Sequence, residues 1–187
     1  MTKTELHSQL SYVNHSRENR LKYAHMVLDN LKLLPIVMDL CFDVEDKISF
    51  RAAWLLEFVV REQLDAILPY LDRFTEQIPT VKRDEAIRPM AKICEYLIMA
   101  YYHKNNNATK KYLTKRHRER ITELCFDYMI TNQKIAPKAY SMNSLFLLGR
   151  EFDWIHPELE IILERDLHMQ SSGFKARAKY ILKKIKK

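Results

Sequence analysis

The chain has 187 residues, of which 29% are charged and 47% hydrophobic, a balance that excludes intrinsic disorder. It contains two glycines, Gly149 and Gly173, whereas β-hairpins and phosphate-binding loops need glycine at left-handed or crowded backbone positions. The formal net charge is +7. These numbers predict an all-α protein and exclude phosphate-loop and dinucleotide-binding motifs.

The predicted architecture is a series of five helix pairs. In chain order they span residues 3–30, 31–63, 64–104, 114–152 and 155–186, and segment 104–113 is expected to be an irregular loop. In the last helix, Phe174, Ala178 and Ile181 recur at helical spacing and form an apolar stripe. One hairpin cannot cover such a stripe, so we predict a single repeat domain over residues 1–187.

A proline near the start of a first helix and a basic residue in the second helix recur along the chain. Pro35 precedes Arg51, Pro69 precedes Arg88, and Pro157 precedes Lys175. With the less regular pairs included, the basic position recurs as Arg20, Arg51, Arg88, Lys138 and Lys175. We interpret the prolines as helix starts, where the missing N–H is not needed.

This pattern resembles HEAT repeats of the armadillo-like class over residues 31–104 and 137–186. The resemblance implies a HEAT-like α-solenoid, an α-α superhelix of about five antiparallel helix pairs. In that family the repeat Asp and Arg bond between neighbouring units, which implies a ladder of Arg51 and Arg88 with Asp46 and Asp84. The positions that the resemblance makes structural are Pro35, Arg51, Pro69, Arg88, Lys138 and Pro157.

Positive charge is concentrated in two zones. Residues 104–120 carry a net charge of +6, residues 171–187 a net charge of +7, and the rest of the chain a net charge of −6. Positive charge concentrated in two zones favours binding to a localised acidic surface of a partner. It does not favour DNA binding, which would be expected of a uniformly basic protein surface. The candidate partner-binding residues are Lys110, Lys111, Lys115, Arg116, Arg118, Arg120, Lys175, Lys179, Lys183 and Lys186.

Stacked helix pairs present an extended surface, so we expect a non-catalytic scaffold or adaptor that binds an acidic protein surface. The alternative is nucleic-acid binding, because the basic zones suit phosphates and the chain resembles HEAT-like DNA alkylation-repair proteins. Trp54 and Trp154 would be base-stacking residues in that alternative, although we interpret both preferentially as core.

We predict no catalytic, cofactor-binding or metal site. The seven histidines include no pair at the spacing of a helical zinc site. The whole chain also resembles small bacterial HEAT-like proteins that often bear the name adenylosuccinate lyase. The signature loop of that lyase family, Ser-Ser-x-Met-Pro-x-Lys-x-Asn, is matched only by Ser171 and Ser172, which we interpret as a helix start.

Cys41, Cys94 and Cys125 are widely spaced and odd in number, which indicates buried free thiols of a reducing compartment. The first residues lack the apolar core of a signal peptide, and no apolar run approaches the roughly 20 residues that span a bilayer. We therefore expect a cytoplasmic protein without a membrane partner, whose oligomeric state stays open.

Overall fold

The computed structural model describes residues 1–168 and 171–186. Over these residues the protein contains α-helices and short 3₁₀ helices and no β-strand, which confirms the all-α prediction. Lys187, the last cation of the second basic zone, lies outside the described residues. The α-helices are α1 (Lys3–Leu10), α2 (Arg17–Leu28), α3 (Leu34–Cys41), α4 (Ser49–Glu62), α5 (Leu71–Gln77), α6 (Asp84–Tyr101), α7 (Ala108–Tyr112), α8 (Lys115–Ile130), α9 (Ile135–Leu148), α10 (Ile155–Asp166) and α11 (Ser172–Ile185).

Each of the five predicted spans contains two of the longer helices. The third span departs from the prediction, because a 3₁₀ helix over Leu64–Tyr70, with Pro69 inside it, precedes α5. Segment 104–113 also departs, because it contains α7 where we expected an irregular loop. The Asn107 side chain starts α7 by accepting a hydrogen bond from the Lys110 N–H at 3.3 Å.

The helices pack in two layers. The second layer consists of the second helix of each pair, and its members contact one another in chain order: α2 with α4, α4 with α6, α6 with α9, and α9 with α11. The first layer consists of α1, α3, α5, α8 and α10, of which α3 packs on α4, α8 on α9, and α10 on α9 and α11. The side chains buried between these helices form one continuous hydrophobic core.

The last pair shows how the sequence produces this packing. Phe174, Ala178 and Ile181 are buried, as their helical spacing predicts. The Ser171 side chain accepts a hydrogen bond from the Phe174 N–H at 3.3 Å, so the serine is the N-cap of α11. The predicted helix start at Ser171 is confirmed.

The recurring basic position joins elements, but not through the expected aspartates. Arg51 donates from Nη1 to the Leu10 carbonyl at 3.2 Å and to the Ser11 carbonyl, at the end of α1. Arg88 instead bonds Glu57 on α4, with a 3.1 Å contact from Nη1 to Oε1. Lys138 donates to the Met129 carbonyl at 3.1 Å. These bonds satisfy buried or terminal acceptors of neighbouring helices.

Asp46 and Asp84, the expected partners of Arg51 and Arg88, have other contacts. Asp46 accepts the Ile48 N–H at 2.8 Å and lies 2.7 Å from His7 Nε2, and these contacts lower the pKa of its carboxyl group. Asp84 lies 3.3 Å from Lys134 Nζ. The predicted Asp–Arg ladder is therefore wrong: Arg51 bonds backbone carbonyls and Arg88 bonds Glu57, and neither arginine bonds the expected aspartate.

Proline positions agree with helix starts at Pro35 and Pro157, which lie in the first turns of α3 and α10. The prediction for Pro69 is wrong, because this proline lies near the end of the 3₁₀ helix that precedes α5. Pro89 lies inside α6 and lacks the N–H that would bond the Glu85 carbonyl four residues earlier. The Trp54 indole supplies the missing donor from α4, at 3.0 Å. A tertiary hydrogen bond thus satisfies the carbonyl that the proline leaves free.

Cys41, Cys94 and Cys125 are free and buried, as predicted. Burial raises the pKa of the Cys41 and Cys125 thiols to about 12, which keeps both protonated at neutral pH. In the described part of the chain, no helix combines the length and apolar character that crossing a membrane requires.

Candidate functional site

Two arginines of the first basic zone already bond carboxylates within the fold. Arg118 is 6% exposed and donates to Glu151 from Nε at 2.9 Å and from Nη2 at 2.7 Å. Its guanidinium also lies 4.1 Å from the centre of the Tyr101 ring. Arg120 bonds Glu76 at 3.2 Å and joins α8 to α5. Both side chains therefore hold α8 in place.

The other members of the first zone face solvent more openly. Lys111, Lys115 and Arg116 are exposed, and Lys110 is half-buried. Lys115 lies 3.8 Å from Glu119 on the same helix, a weak surface pair. Lys115 and Arg116 lie at the start of α8 in the first layer, and Lys110 and Lys111 lie on α7 just before it.

The four candidate lysines of the second basic zone lie on one side of α11. At 100° per residue, Lys175, Lys179, Lys183 and Lys186 share a face. Lys186 bonds Glu164 at 2.7 Å and Glu160 at 3.0 Å, both on α10, and these carboxylates raise the pKa of its ammonium group. Helix α8 contacts α5 and α9, and α11 contacts α9 and α10, so the helices of the two basic zones share α9 as a neighbour and otherwise pack against different helices.

A different basic surface lies on the second layer, and we call it the arginine cavity. It is an open cavity of about 410 Å³ between α2, α4 and α6. Its lining residues are His15, Arg17, Arg20, Trp54, Glu57, Phe58, Arg61 and Arg88. Four arginines and one glutamate thus line the cavity, which gives the lining a net charge of +3. Arg61 also lies 3.8 Å from Glu62 at the end of α4, a weak surface pair.

Aromatic rings and backbone carbonyls hold the arginines of this cavity in place. The Arg20 guanidinium lies 4.7 Å from the centre of the Phe58 ring and 5.5 Å from that of Trp54, and it also donates to the His15 carbonyl. Arg61 lies 5.4 Å from the same Phe58 ring. Burial lowers the pKa of Arg20; the Glu57 charge opposes this shift and the Arg88 charge adds to it.

Glu57, the one carboxylate of the lining, is 5% exposed and is bonded to Arg88 through both oxygens. A paired, buried carboxylate has little capacity left for another cation. The cavity is therefore arranged to accept anionic groups, and carboxylates and phosphates match the guanidinium fork.

A second cavity on the same layer, of about 610 Å³, lies between α6, α9 and α11. Its central acid is Glu95, which is 3% exposed. Lys92 donates to Glu95 at 2.6 Å and Asn143 donates at 3.0 Å, while Arg177 lies 3.8 Å away. The Glu95 carboxylate in this cavity is therefore balanced by the neighbouring cations Lys92 and Arg177.

The two tryptophans lie in different layers. Trp54 is half-buried on α4 with its indole N–H bonded to α6. Trp154 is 54% exposed and stacks on Phe126 of α8, with ring centres 5.4 Å apart and planes at 22°. The core interpretation of Trp154 is wrong, because the turn before α10 holds the ring at the surface.

Counting charge by segment missed the arginine cavity. Arg17, Arg20, Arg61 and Arg88 all lie in the part of the chain with net negative charge. One sequence feature does point to the arginine cavity: Trp54, Phe58 and Arg61 are spaced at i, i+4 and i+7, which puts them on one face of α4.

Comparisons of this chain with protein-family models, with curated proteins and with solved structures find no match. We therefore infer function from the geometry of the surfaces.

Proposed function

We propose that the chain is a HEAT-like α-solenoid that acts as a non-catalytic scaffold and binds an acidic partner protein through its second layer. The successive packing of α2, α4, α6, α9 and α11 supports this architecture, because repeat proteins stack equivalent helices in this way. The observation that carries the functional proposal is the arginine cavity. Four arginines from three helices line it, and its one glutamate, Glu57, is already paired with Arg88.

The partner's carboxylates would bind Arg17, Arg20 and Arg61. Arg20 and Arg61 are already held against Phe58, so little side-chain entropy is lost when they bind an anion. An incoming carboxylate would also relieve the repulsion between like charges that share the cavity. Both effects favour a partner that presents several Asp or Glu side chains.

Nucleic-acid binding is the second candidate, and the position of Trp54 favours it. The indole lines the arginine cavity next to Arg20 and Arg88, so an aromatic surface and phosphate-binding groups share one site. Proteins that bind single-stranded nucleic acids combine aromatic side chains, on which bases stack, with cations that neutralise the phosphates. Discrimination between the two candidates requires a direct comparison of ligands.

The test is fluorescence anisotropy with two labelled probes, a peptide of about twenty glutamates and a DNA strand of similar charge. The R17E/R61E variant reverses two cavity arginines. The K179E/K183E variant reverses two exposed lysines on α11 and is the matched control, since it changes the net charge equally. Charge-assisted contacts contribute about 1.5–3 kcal/mol each, so R17E/R61E should bind polyglutamate at least about tenfold more weakly.

K179E/K183E should lose less than about threefold, the effect of net charge alone. Equal losses in the two variants, or unchanged binding by R17E/R61E, would refute the arginine cavity as the binding site. Tighter binding of DNA than of polyglutamate, with a log–log salt slope near −0.7 per phosphate, would select the nucleic-acid alternative.

A further inference from the structure

A groove in the first layer has the opposite character to the arginine cavity. It runs between α8 and α10 and consists of two adjoining cavities of about 240 and 520 Å³, which share Glu123 and Trp154. We call it the acidic groove. Its lining combines carboxylates with large apolar side chains.

The α8 wall of the acidic groove is a regular helical face. Glu119, Glu123, Phe126 and Ile130 follow one another at steps of three or four residues, and Asp127 lies four residues after Glu123. From Glu119 to Ile130 this face extends about 16 Å at 1.5 Å per residue. That length accommodates about three turns of a partner helix.

The floor of the acidic groove exposes large apolar side chains. Trp154 is 54% exposed and Ile130 is 56% exposed, and Phe126 stacks beneath the indole at 5.4 Å. Trp154 at the start of α10 and Ile130 at the end of α8 thus form an apolar strip flanked by carboxylates. Adjacent exposed side chains of this size mark interaction sites rather than ordinary surface.

The charge of the acidic groove has one sign. Glu119, Glu123, Asp127 and Glu158 line its two cavities, and every charged side chain of that described lining is acidic. The nearest cation in an ion pair with the lining is Lys115, 3.8 Å from Glu119 at one end. The groove therefore complements a positively charged partner that also carries apolar side chains.

We propose that the acidic groove binds an amphipathic helix, rich in lysine or arginine, from a partner protein. The apolar side of that helix would cover Trp154, Phe126 and Ile130, and its cations would face Glu123, Asp127 and Glu158. This is the helix-in-groove mode of recognition, in which anchors recur at i, i+3 or i+4 and i+7. The chain's own basic helix α11 is not the occupant, because Phe174, Ala178 and Ile181 are buried in the core.

The probe is a synthetic peptide of about fourteen residues in which leucines and lysines are placed to form an amphipathic helix. The W54F variant leaves Trp154 as the single tryptophan, so its fluorescence reports on the groove directly. We expect a saturable blue shift with this peptide, and at least about tenfold weaker binding of the matching leucine–glutamate peptide. If W54F unfolds, ¹⁹F NMR of the 5-fluorotryptophan-labelled wild type resolves the two indoles instead.

The E123K/D127K variant reverses two exposed groove carboxylates and should weaken the leucine–lysine peptide at least about tenfold. The matched control is E45K/D65K, with the same charge change at exposed acids outside the groove, and it should bind like the parent. The absence of a blue shift, or unchanged binding by E123K/D127K, would overturn the proposal. A dimer in sedimentation that W154A disperses would also overturn it, because the occupant would then be a second copy.

These results separate the acidic groove from the arginine cavity. E123K/D127K should leave polyglutamate binding intact, and R17E/R61E should leave the leucine–lysine peptide bound. Failure of one surface therefore does not count against the other.

Discussion

At the residue scale, the sequence shows where cations recur but not what they bind. Arg51 and Lys138 donate to backbone carbonyls at helix ends, and any sequence offers such carbonyls. Arg88 bonds Glu57, which looks like one more polar residue in an apolar stretch. Partner choice depends on the approach of two helices, so spacing within one helix does not reveal it.

The Arg88–Glu57 pair leads to the first prediction. Arg88→Met should lower the free energy of unfolding by about 3 kcal/mol, because it leaves the buried Glu57 carboxylate unpaired. The double variant E57M/R88M should recover much of that loss, since it removes both charges. Urea denaturation of the wild type and the two variants measures this. Equal destabilisation of the single and double variants would contradict the assigned pairing.

The second prediction concerns pH and Glu151. Hydrogen bonds from Arg118, and also one from Tyr102, lower the pKa of the Glu151 carboxyl below its usual 4.5. A lowered pKa in the folded state stabilises the fold above the unfolded value, and that contribution disappears as pH falls through the folded value. Glu151→Gln should therefore cost stability at pH 7 and progressively less below about pH 4.

Urea midpoints of the wild type and Glu151→Gln across this pH range provide the measurement. Glu45→Gln, at an exposed loop acid, is the control and should follow the wild type at every pH. A constant difference between Glu151→Gln and the wild type down to low pH would mean that the carboxylate charge does not hold Arg118.

At the element scale, the long helices follow from the sequence because apolar residues at helical spacing must face a core. The structure departs from the predicted elements in segments that are too short to show apolar residues at helical spacing. The helix α7 has five residues and depends on the Asn107 cap, and the third pair begins with a 3₁₀ turn around Pro69. Pro89 stays within α6 because Trp54 bonds the Glu85 carbonyl, a contact made across helices.

The third prediction tests how α11 docks. Phe174 is fully buried against the core, whereas Tyr180 on another face of α11 is 59% exposed. Phe174→Ala should lower the free energy of unfolding by about 3–5 kcal/mol, the cost of a large cavity. Tyr180→Ala should change it by less than about 0.5 kcal/mol. Thermal or urea unfolding checks both, and similar effects at the two positions would mean that the terminal helix is not docked through its apolar stripe.

At the scale of the whole molecule, net charge along the sequence is a poor guide to charge on the surface. The basic zones at 104–120 and 171–187 place Arg118, Arg120 and Lys186 against carboxylates of their neighbours. A further group of cations lines the arginine cavity with one glutamate, and its residues come from three helices in a segment of net negative charge. Only the packing of α2, α4 and α6 brings them together.

The arginine cavity and the acidic groove thus carry opposite charges, and each is lined by one of the two tryptophans. Trp54 lines the arginine cavity of the second layer, and Trp154 lies in the acidic groove of the first layer. The indole N–H groups give two separate signals in a ¹H–¹⁵N NMR spectrum. They report on both surfaces in one sample, without a substitution.

The most direct test is to titrate the ¹⁵N-labelled protein with polyglutamate and, separately, with the leucine–lysine peptide. Polyglutamate should shift the Trp54 indole signal and leave that of Trp154 unchanged, and the leucine–lysine peptide should do the reverse. If both ligands move the same indole signal, or polyglutamate moves only that of Trp154, the separation of the basic arginine cavity from the acidic groove is contradicted.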